Sequence, residues 1–151
     1  MRIAIESPDQ PEVVALIDAL DAYQMPMYPP ESHHGVDLET LRRANVLFAV
    51  ARDAAGRAVG CGAVVLEDGY GELKRMYVEP QQRGRGIARA MLAFLEDAAS
   101  ARGVRRFALE TGNLQHEAIA LYARAGYASC EPFGNYQADP HSVFMRKDCA
   151  A

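Results

Sequence analysis

The chain lacks the signatures of several common chemistries. Lys followed by Ser or Thr, the ending that a P-loop needs, occurs nowhere. His33, His34, His116 and His141 show no HExxH or other ligand spacing, so no metal is expected. Cysteine is scarce: Cys61, Cys130 and Cys149 are widely spaced and form no CxxC pair, which reads as reduced thiols in a cytoplasmic protein. Cys61 sits inside an apolar run, a poor setting for a nucleophile. No apolar stretch reaches membrane length and no signal segment is evident, so no membrane association is expected. The net charge of −4 argues against nucleic acid as the main partner, which would need a basic face. Repeats, low-complexity tracts and linkers are also missing. A length of 151 residues then implies one domain, 1–151, large enough to bury a core.

The most informative stretch that is present runs from Val78 to Ala88. An apolar run, Met76-Tyr77-Val78, stops at Pro80, passes Gly84 and Gly86, and enters an amphipathic pattern. That order predicts a strand, a glycine turn and a helix N-terminus. The first amides of a helix have no intrahelical partner and carry a positive partial charge, so they bind phosphate oxygens. Arg83, Arg85 and Arg89 add charge there, part of a local basic excess that continues through Arg102, Arg105 and Arg106 against only Glu96 and Asp97. The later three read as a solvated helix face. A dinucleotide fold is disfavoured: Gly84-Arg85-Gly86-Ile87-Ala88-Arg89 ends in Arg, and Arg105 and Arg106 stand where a ribose-binding acid belongs.

Periodicity divides the rest. Arg2 to Glu6 alternates as a strand. Asp9 to about Tyr23 carries Val13, Leu16, Ile17 and Leu20 at helical spacing, with Asp9 as a possible cap and Pro11 in the first turn. Met25 to Gly35 is a loop, and Asp37 a cap for a short helix. Val46 to Arg52, Ala58 to Leu66 and Glu72 to Val78 read as a meander turned at Asp53-Ala54-Ala55-Gly56 and Asp68-Gly69. The helix after the glycine turn shows Ile87, Ala90, Met91, Phe94, Leu95 and Ala98 on one face. A strand from Arg106 to Glu110, a helix from Leu114 to Ala125 ended by Gly126, and a strand from Ser142 to Met145 follow. The pattern predicts an α/β (α+β) fold with a mixed, mostly antiparallel sheet and helices on its faces.

The turn is similar to the Q/R-x-x-G-x-G/A signature of the Gcn5-related N-acetyltransferase (GNAT) superfamily. It fits in two registers, Gln81-x-x-Gly84-x-Gly86 and Arg83-x-x-Gly86-x-Ala88. The element order resembles that family over nearly the whole chain. The resemblance implies a sheet splayed after its fourth strand, with acetyl-CoA in the opening. Met76, Tyr77 and Val78 would then face the pantetheine, with the Val78 amide as oxyanion donor. Gly84, Arg85, Gly86, Ile87 and Ala88 would cradle the pyrophosphate. Asn113 would contact the pantetheine arm, or alternatively cap the following helix.

The implied reaction is attack of a neutral amine on a thioester, which calls for a base and for an acid at the leaving sulfur. Tyr122, in Ala118-Ile119-Ala120-Leu121-Tyr122-Ala123-Arg124-Ala125-Gly126-Tyr127, matches the family's A-x-x-L-Y-x-x-x-G-F/Y segment and would be that acid. Glu72, at the start of the fourth strand, is the preferred base, with Glu110 across the splay as its rival; ordered water is a third possibility. Two further segments, Tyr28-Pro29-Pro30-Glu31-Ser32-His33-His34 and Pro132-Phe133-Gly134-Asn135-Tyr136 onward to Met145, resemble a subgroup of small bacterial acetyltransferases. They make Glu31, His33, His34, Arg75 and Tyr136 acceptor-pocket candidates, and an Arg75–histidine pocket would suit a carboxylate-bearing amine. The resulting expectation is an N-acetyltransferase acting on a primary amine of a small molecule or peptide in a ternary complex, possible as a homodimer. A non-catalytic acyl-CoA-binding module is the alternative; it would need neither Tyr122 nor Glu72.

Overall fold

The computed structural model describes residues 1–149. Seven strands form one sheet: β1 (Arg2–Ile5), β2 (Val46–Arg52), β3 (Ala58–Glu67), β4 (Tyr70–Val78), β5 (Arg106–Gly112), β6 (Ala128–Ser129) and β7 (Ser142–Asp148), in the order β1-β2-β3-β4-β5-β7-β6. The helices are α1 (Pro11–Gln24), α2 (Leu38–Leu41), α3 (Ile87–Ser100) and α4 (His116–Arg124). Among the described residues no helix is long and apolar enough to cross a membrane.

Alternation along the central strands assigns the two faces. Phe48, Val50, Cys61 and Ala63 point to one side, where Val13, Leu16 and Ile17 of α1 and Leu41 of α2 cover them. Ala49, Val64 and Leu73 point to the other, under Leu92, Leu95 and Ala99 of α3 and Tyr122 of α4. With helices on both faces, β3 is buried continuously from Ala58 to Val65. Cys61 is fully buried, and burial pushes its thiol up to about 12, consistent with an inert core residue.

Several boundaries differ from the sequence expectation for local reasons. The cap of α1 is Gln10, whose side chain turns back to Glu6 and the Ser7 carbonyl, while Asp9 faces Arg42 at 3.6 Å. Asp37 does cap α2, accepting from the Thr40 amide at 2.9 Å. Within the loop after α1, prolines seed two 3₁₀ turns, Met25–Met27 and Pro30–Ser32. The buried stripe of α3 is Ile87, Met91, Leu92, Leu95 and Ala99, so Leu92 and Ala99 join it while Ala90, Phe94 and Ala98 are only half-buried.

The feature that shapes the molecule lies at the middle of the sheet. β4 and β5 run parallel and pair only at Gly71↔Phe107, Glu72↔Ala108 and Leu73↔Leu109. Just beyond, β4 bulges against β3: Ala63 pairs with Lys74 and Cys61 with Tyr77, so Arg75 and Met76 stand opposite Gly62 alone. Arg75 takes the left-handed conformation there, with φ 57°. A Cβ at position 62 would meet the Met76 thioether, so the bulge packs closely on Gly62. The bulge turns β4 away from β5, and a V-shaped opening follows.

Candidate functional site

Two cavities meet in the opening. The larger, about 670 Å³, runs from Met76, Tyr77 and Val78 on β4 to Leu114, Ala118 and Leu121 on the other side. The smaller, about 330 Å³, lies toward the loop after α1. Leu20, Gln24, Met76, Gln115 and Tyr122 line both.

The floor of the larger groove is built by the glycine turn. Gly84 and Gly86 both take left-handed conformations, φ 80° and 78°, and Gly86 is the N-cap of α3 with no side-chain hydrogen bond to the first turn. The first helical bond is Ala90 N–H to Gly86 C=O, so the amides of Ile87, Ala88 and Arg89 have no partner within the helix. Gly84, Gly86, Ile87 and Ala88 line this groove, as does Arg83. Arg83 donates from Nε to the Val78 carbonyl at 3.2 Å and lies 5.9 and 5.8 Å from the ring centres of Tyr23 and Tyr77. Gln81 and Arg85 are exposed and stand outside the lining. Sequence reasoning missed Tyr23 and Leu114 on this rim. They come from segments remote from the glycine turn, and both are exposed despite their size.

Asn113 does not cap α4, since the helix begins two residues later than expected, with Gln115 as its N-cap. Its side-chain oxygen is buried without a hydrogen-bond partner among the described residues. An orphaned acceptor at the end of β5 is a site where a bound amide N–H would be favourable.

At the junction of the cavities Tyr122 is 7% exposed. Burial alone pushes its phenol up to about 12, so it keeps its proton throughout the neutral range. Its ring packs edge-on against Tyr127 at 5.9 Å.

The smaller cavity brings together Glu110, His33, His34 and Arg75 with Tyr122. Burial raises the Glu110 carboxyl above its ordinary value, opposed first by the Ser142 side chain and then by the charges of His34 and Lys74. Glu72 is not in the lining. Its carboxylate accepts from the Tyr136 hydroxyl at 2.5 Å and lies 3.2 Å from Lys74 Nζ. Tyr136 therefore stands behind the wall, with His34 edge-on to its ring at 5.2 Å. Glu31 is also outside the lining and exposed. Arg75 is held by Asp21 and by the Val36 carbonyl. Lys74 and Asp21 are lining residues that the sequence did not single out, because their importance rests on contacts between distant segments.

The loop over this cavity is fixed by specific contacts. Tyr28 Oη accepts from the Leu114 amide at 3.2 Å, His33 Nε2 bonds the Tyr28 carbonyl at 2.9 Å, and Ser32 donates to Asp139 at 2.7 Å. Tyr28 crosses directly over Gly112, where an added Cβ would fall 1.9 Å from the hydroxyl. Gly112→Ala is therefore expected to displace Tyr28 and cost about 1–3 kcal/mol of stability, the range for overpacking. Thermal denaturation, with limited proteolysis of residues 25–35, checks this.

The family description "Acetyltransferase (GNAT) family" matches residues 16–127. An IAA acetyltransferase of Azospirillum brasilense is 50% identical over 149 residues, covering 97% of each chain. A Klebsiella pneumoniae structure described as an acyl-CoA N-acyltransferase is 42% identical and superposes with a TM-score of 0.84 over 99% of this chain and 97% of that one. An aminoglycoside 6'-N-acetyltransferase solved with coenzyme A shares the fold at 19% identity, with a TM-score of 0.76 over 98% and 97% of the two chains.

Proposed function

The chain belongs to the GNAT acetyltransferase family, and we propose that it transfers the acetyl group of acetyl-CoA directly to a primary amine of a small molecule. The observation that carries this reading is the position of Tyr122, a buried and protonated phenol that lines both cavities at their meeting point. The larger groove suits coenzyme A: unpartnered helix amides and two left-handed glycines give phosphate oxygens close access, and Arg83 and Arg89 supply charge. The orphaned Asn113 oxygen and the unpaired stretch of β4 beside the splay suit an amide-bearing arm. Bound acetyl-CoA supplies an activated acyl carbon and a thiolate leaving group.

The protein's own groups then have two tasks. Glu110, the carboxylate in the acceptor cavity, takes the proton released as the amine nitrogen bonds to the acyl carbon. Tyr122 gives its proton to sulfur as the carbon–sulfur bond breaks. In this reading Glu72 holds Tyr136 and Lys74 in place and does not touch the reacting atoms.

Calorimetric titration with acetyl-CoA, and separately with NAD and ATP, tests the donor. Selective micromolar binding of acetyl-CoA is expected, and preference for either other nucleotide would overturn the reading. Gly86→Ala adds a direct check on the cradle. No protein atom lies near the added Cβ, so its cost is the left-handed backbone, on the order of 1 kcal/mol, together with a methyl group facing the groove. Acetyl-CoA affinity is expected to fall about tenfold or more, measured by the same titration.

A further inference from the structure

Among the described residues the two permanent cations lining the acceptor cavity, Lys74 and Arg75, are each matched to a carboxylate of the protein, and His33 and His34 line it beside them. Lys74 Nζ donates to the His34 carbonyl at 2.7 Å and to the Tyr136 hydroxyl, and lies 3.2 Å from Glu72 Oε2. Two of its three ammonium protons are thus committed to hydrogen bonds, and its charge faces the Glu72 carboxylate. Arg75 Nη1 reaches Asp21 Oδ1 at 2.5 Å, while its Nε and Nη2 donate to the Val36 carbonyl at 3.1 and 2.9 Å. Its side chain is only 8% exposed. Lys74 is thus balanced by Glu72, and Arg75 by Asp21. Among the described residues the remaining lining carboxylate, Glu110, enters no ion pair.

We infer that this cavity takes small amines without an acidic group, a single cationic nitrogen on a neutral body, and discriminates against amino acids and other carboxylate-bearing amines. The inference rests on the acetyltransferase reading and narrows its acceptor. A protonated amine compensates Glu110 on entry, sheds one proton to solvent to become the neutral nucleophile, and gives the next to Glu110 as its nitrogen bonds to the acyl carbon. A carboxylate beside the amine would have to shed water next to Glu110, with the charges of Lys74 and Arg75 already matched by Glu72 and Asp21, and a buried charge without a partner is costly. The arrangement opposes the carboxylate-bearing amine that Arg75 and the histidines suggest when read from sequence, because Asp21 neutralises Arg75. Volume adds a limit: about 330 Å³ holds on the order of a dozen water-sized groups. The walls between the charged groups are Leu20, Met25, Tyr28, Leu73 and Leu109, which suits an apolar or aromatic body.

The test uses matched acceptors that differ only in the acidic group: phenethylamine, phenylalaninamide and phenylalanine, then histamine and histidine. Thiol release from acetyl-CoA is followed at pH 8, clear of the ordinary histidine range. The expected result is a kcat/KM at least about tenfold higher for the amines and the amide than for the amino acids. Asp21→Asn, which leaves Arg75 without its carboxylate, should narrow that gap about tenfold. Equal or better use of the amino acids by the parent protein would overturn the inference. So would an unchanged gap in folded Asp21→Asn. If acetyl-CoA binds, yet no uncharged-body amine turns over or raises the melting temperature of the complex, the inference also fails while the donor assignment stands. Failure of acetyl-CoA to bind removes the acetyltransferase reading itself.

Discussion

Tyr122→Phe is expected to lower kcat on the order of a hundredfold while leaving the Kd for acetyl-CoA within about twofold, since positioned general acids typically contribute that much. The substitution is clean on structural grounds. The ring stays, with its edge contact to Tyr127 and its place among Leu92, Leu95 and Met145 in the core. Only the hydroxyl is lost, and burial is the sole cause of its raised pKa, so no ion pair breaks with it. Because the phenol is pushed up to about 12, its proton is present across the whole working range. Any alkaline decline in rate well below pH 12 must come from another group, and it should persist in the variant. Steady-state thiol release and calorimetry on the same preparation decide the matter. Lost affinity with normal turnover would reassign Tyr122 to coenzyme binding. A non-catalytic acyl-CoA-binding module would show no turnover in either protein.

The expectations that succeed rest on local chemistry. Strand, glycine turn and helix follow one another within Val78 to Ala88, and each residue's effect is exerted on its neighbours, so that order can be read directly. The meander is equally local, with strands bounded by Asp53-Ala54-Ala55-Gly56 and Asp68-Gly69; only their ends move, to Glu67 and Tyr70. What escapes the sequence depends on distance along the chain. Nothing near Arg75 announces that Asp21, 54 residues earlier, neutralises it, or that Tyr136, 64 residues on, occupies Glu72. The two-residue strand β6 is too short to carry a period, and exists because β7 offers it a partner at Arg146 and Met145. The α4 boundary moves from Leu114 to His116, and the Leu114 amide donates to Tyr28 from across the opening. Each of these is a contact between segments, and hydrophobic patterning holds no record of them.

The two candidate bases, Glu72 and Glu110, separate most sharply by what each loses on conversion to glutamine. Glu110→Gln is expected to reduce kcat/KM about a hundredfold or more and to abolish the acidic limb of its pH profile. In the parent protein that limb arises because a protonated carboxyl cannot accept the amine's proton, so the rate climbs as pH passes the raised Glu110 value. Stability moves the other way. An unfolded glutamate ionises near 4.3, but in the native state burial holds the proton to higher pH. Between those two values the native state binds more protons than the unfolded one, so stability falls as pH rises and stays lower above. Glutamine carries no such penalty. The melting temperature of Glu110→Gln relative to the parent should therefore be more favourable at pH 8 than at pH 4. Glu72→Gln should instead be destabilising. Glu72 is 7% exposed and faces Lys74, so its loss leaves a buried ammonium without its carboxylate, a cost of about 3 kcal/mol or more. Turnover per folded molecule should fall less than in Glu110→Gln. If folded Glu72→Gln instead loses more turnover and the acidic limb as well, Glu72 is the base and Glu110 serves only to bind the amine.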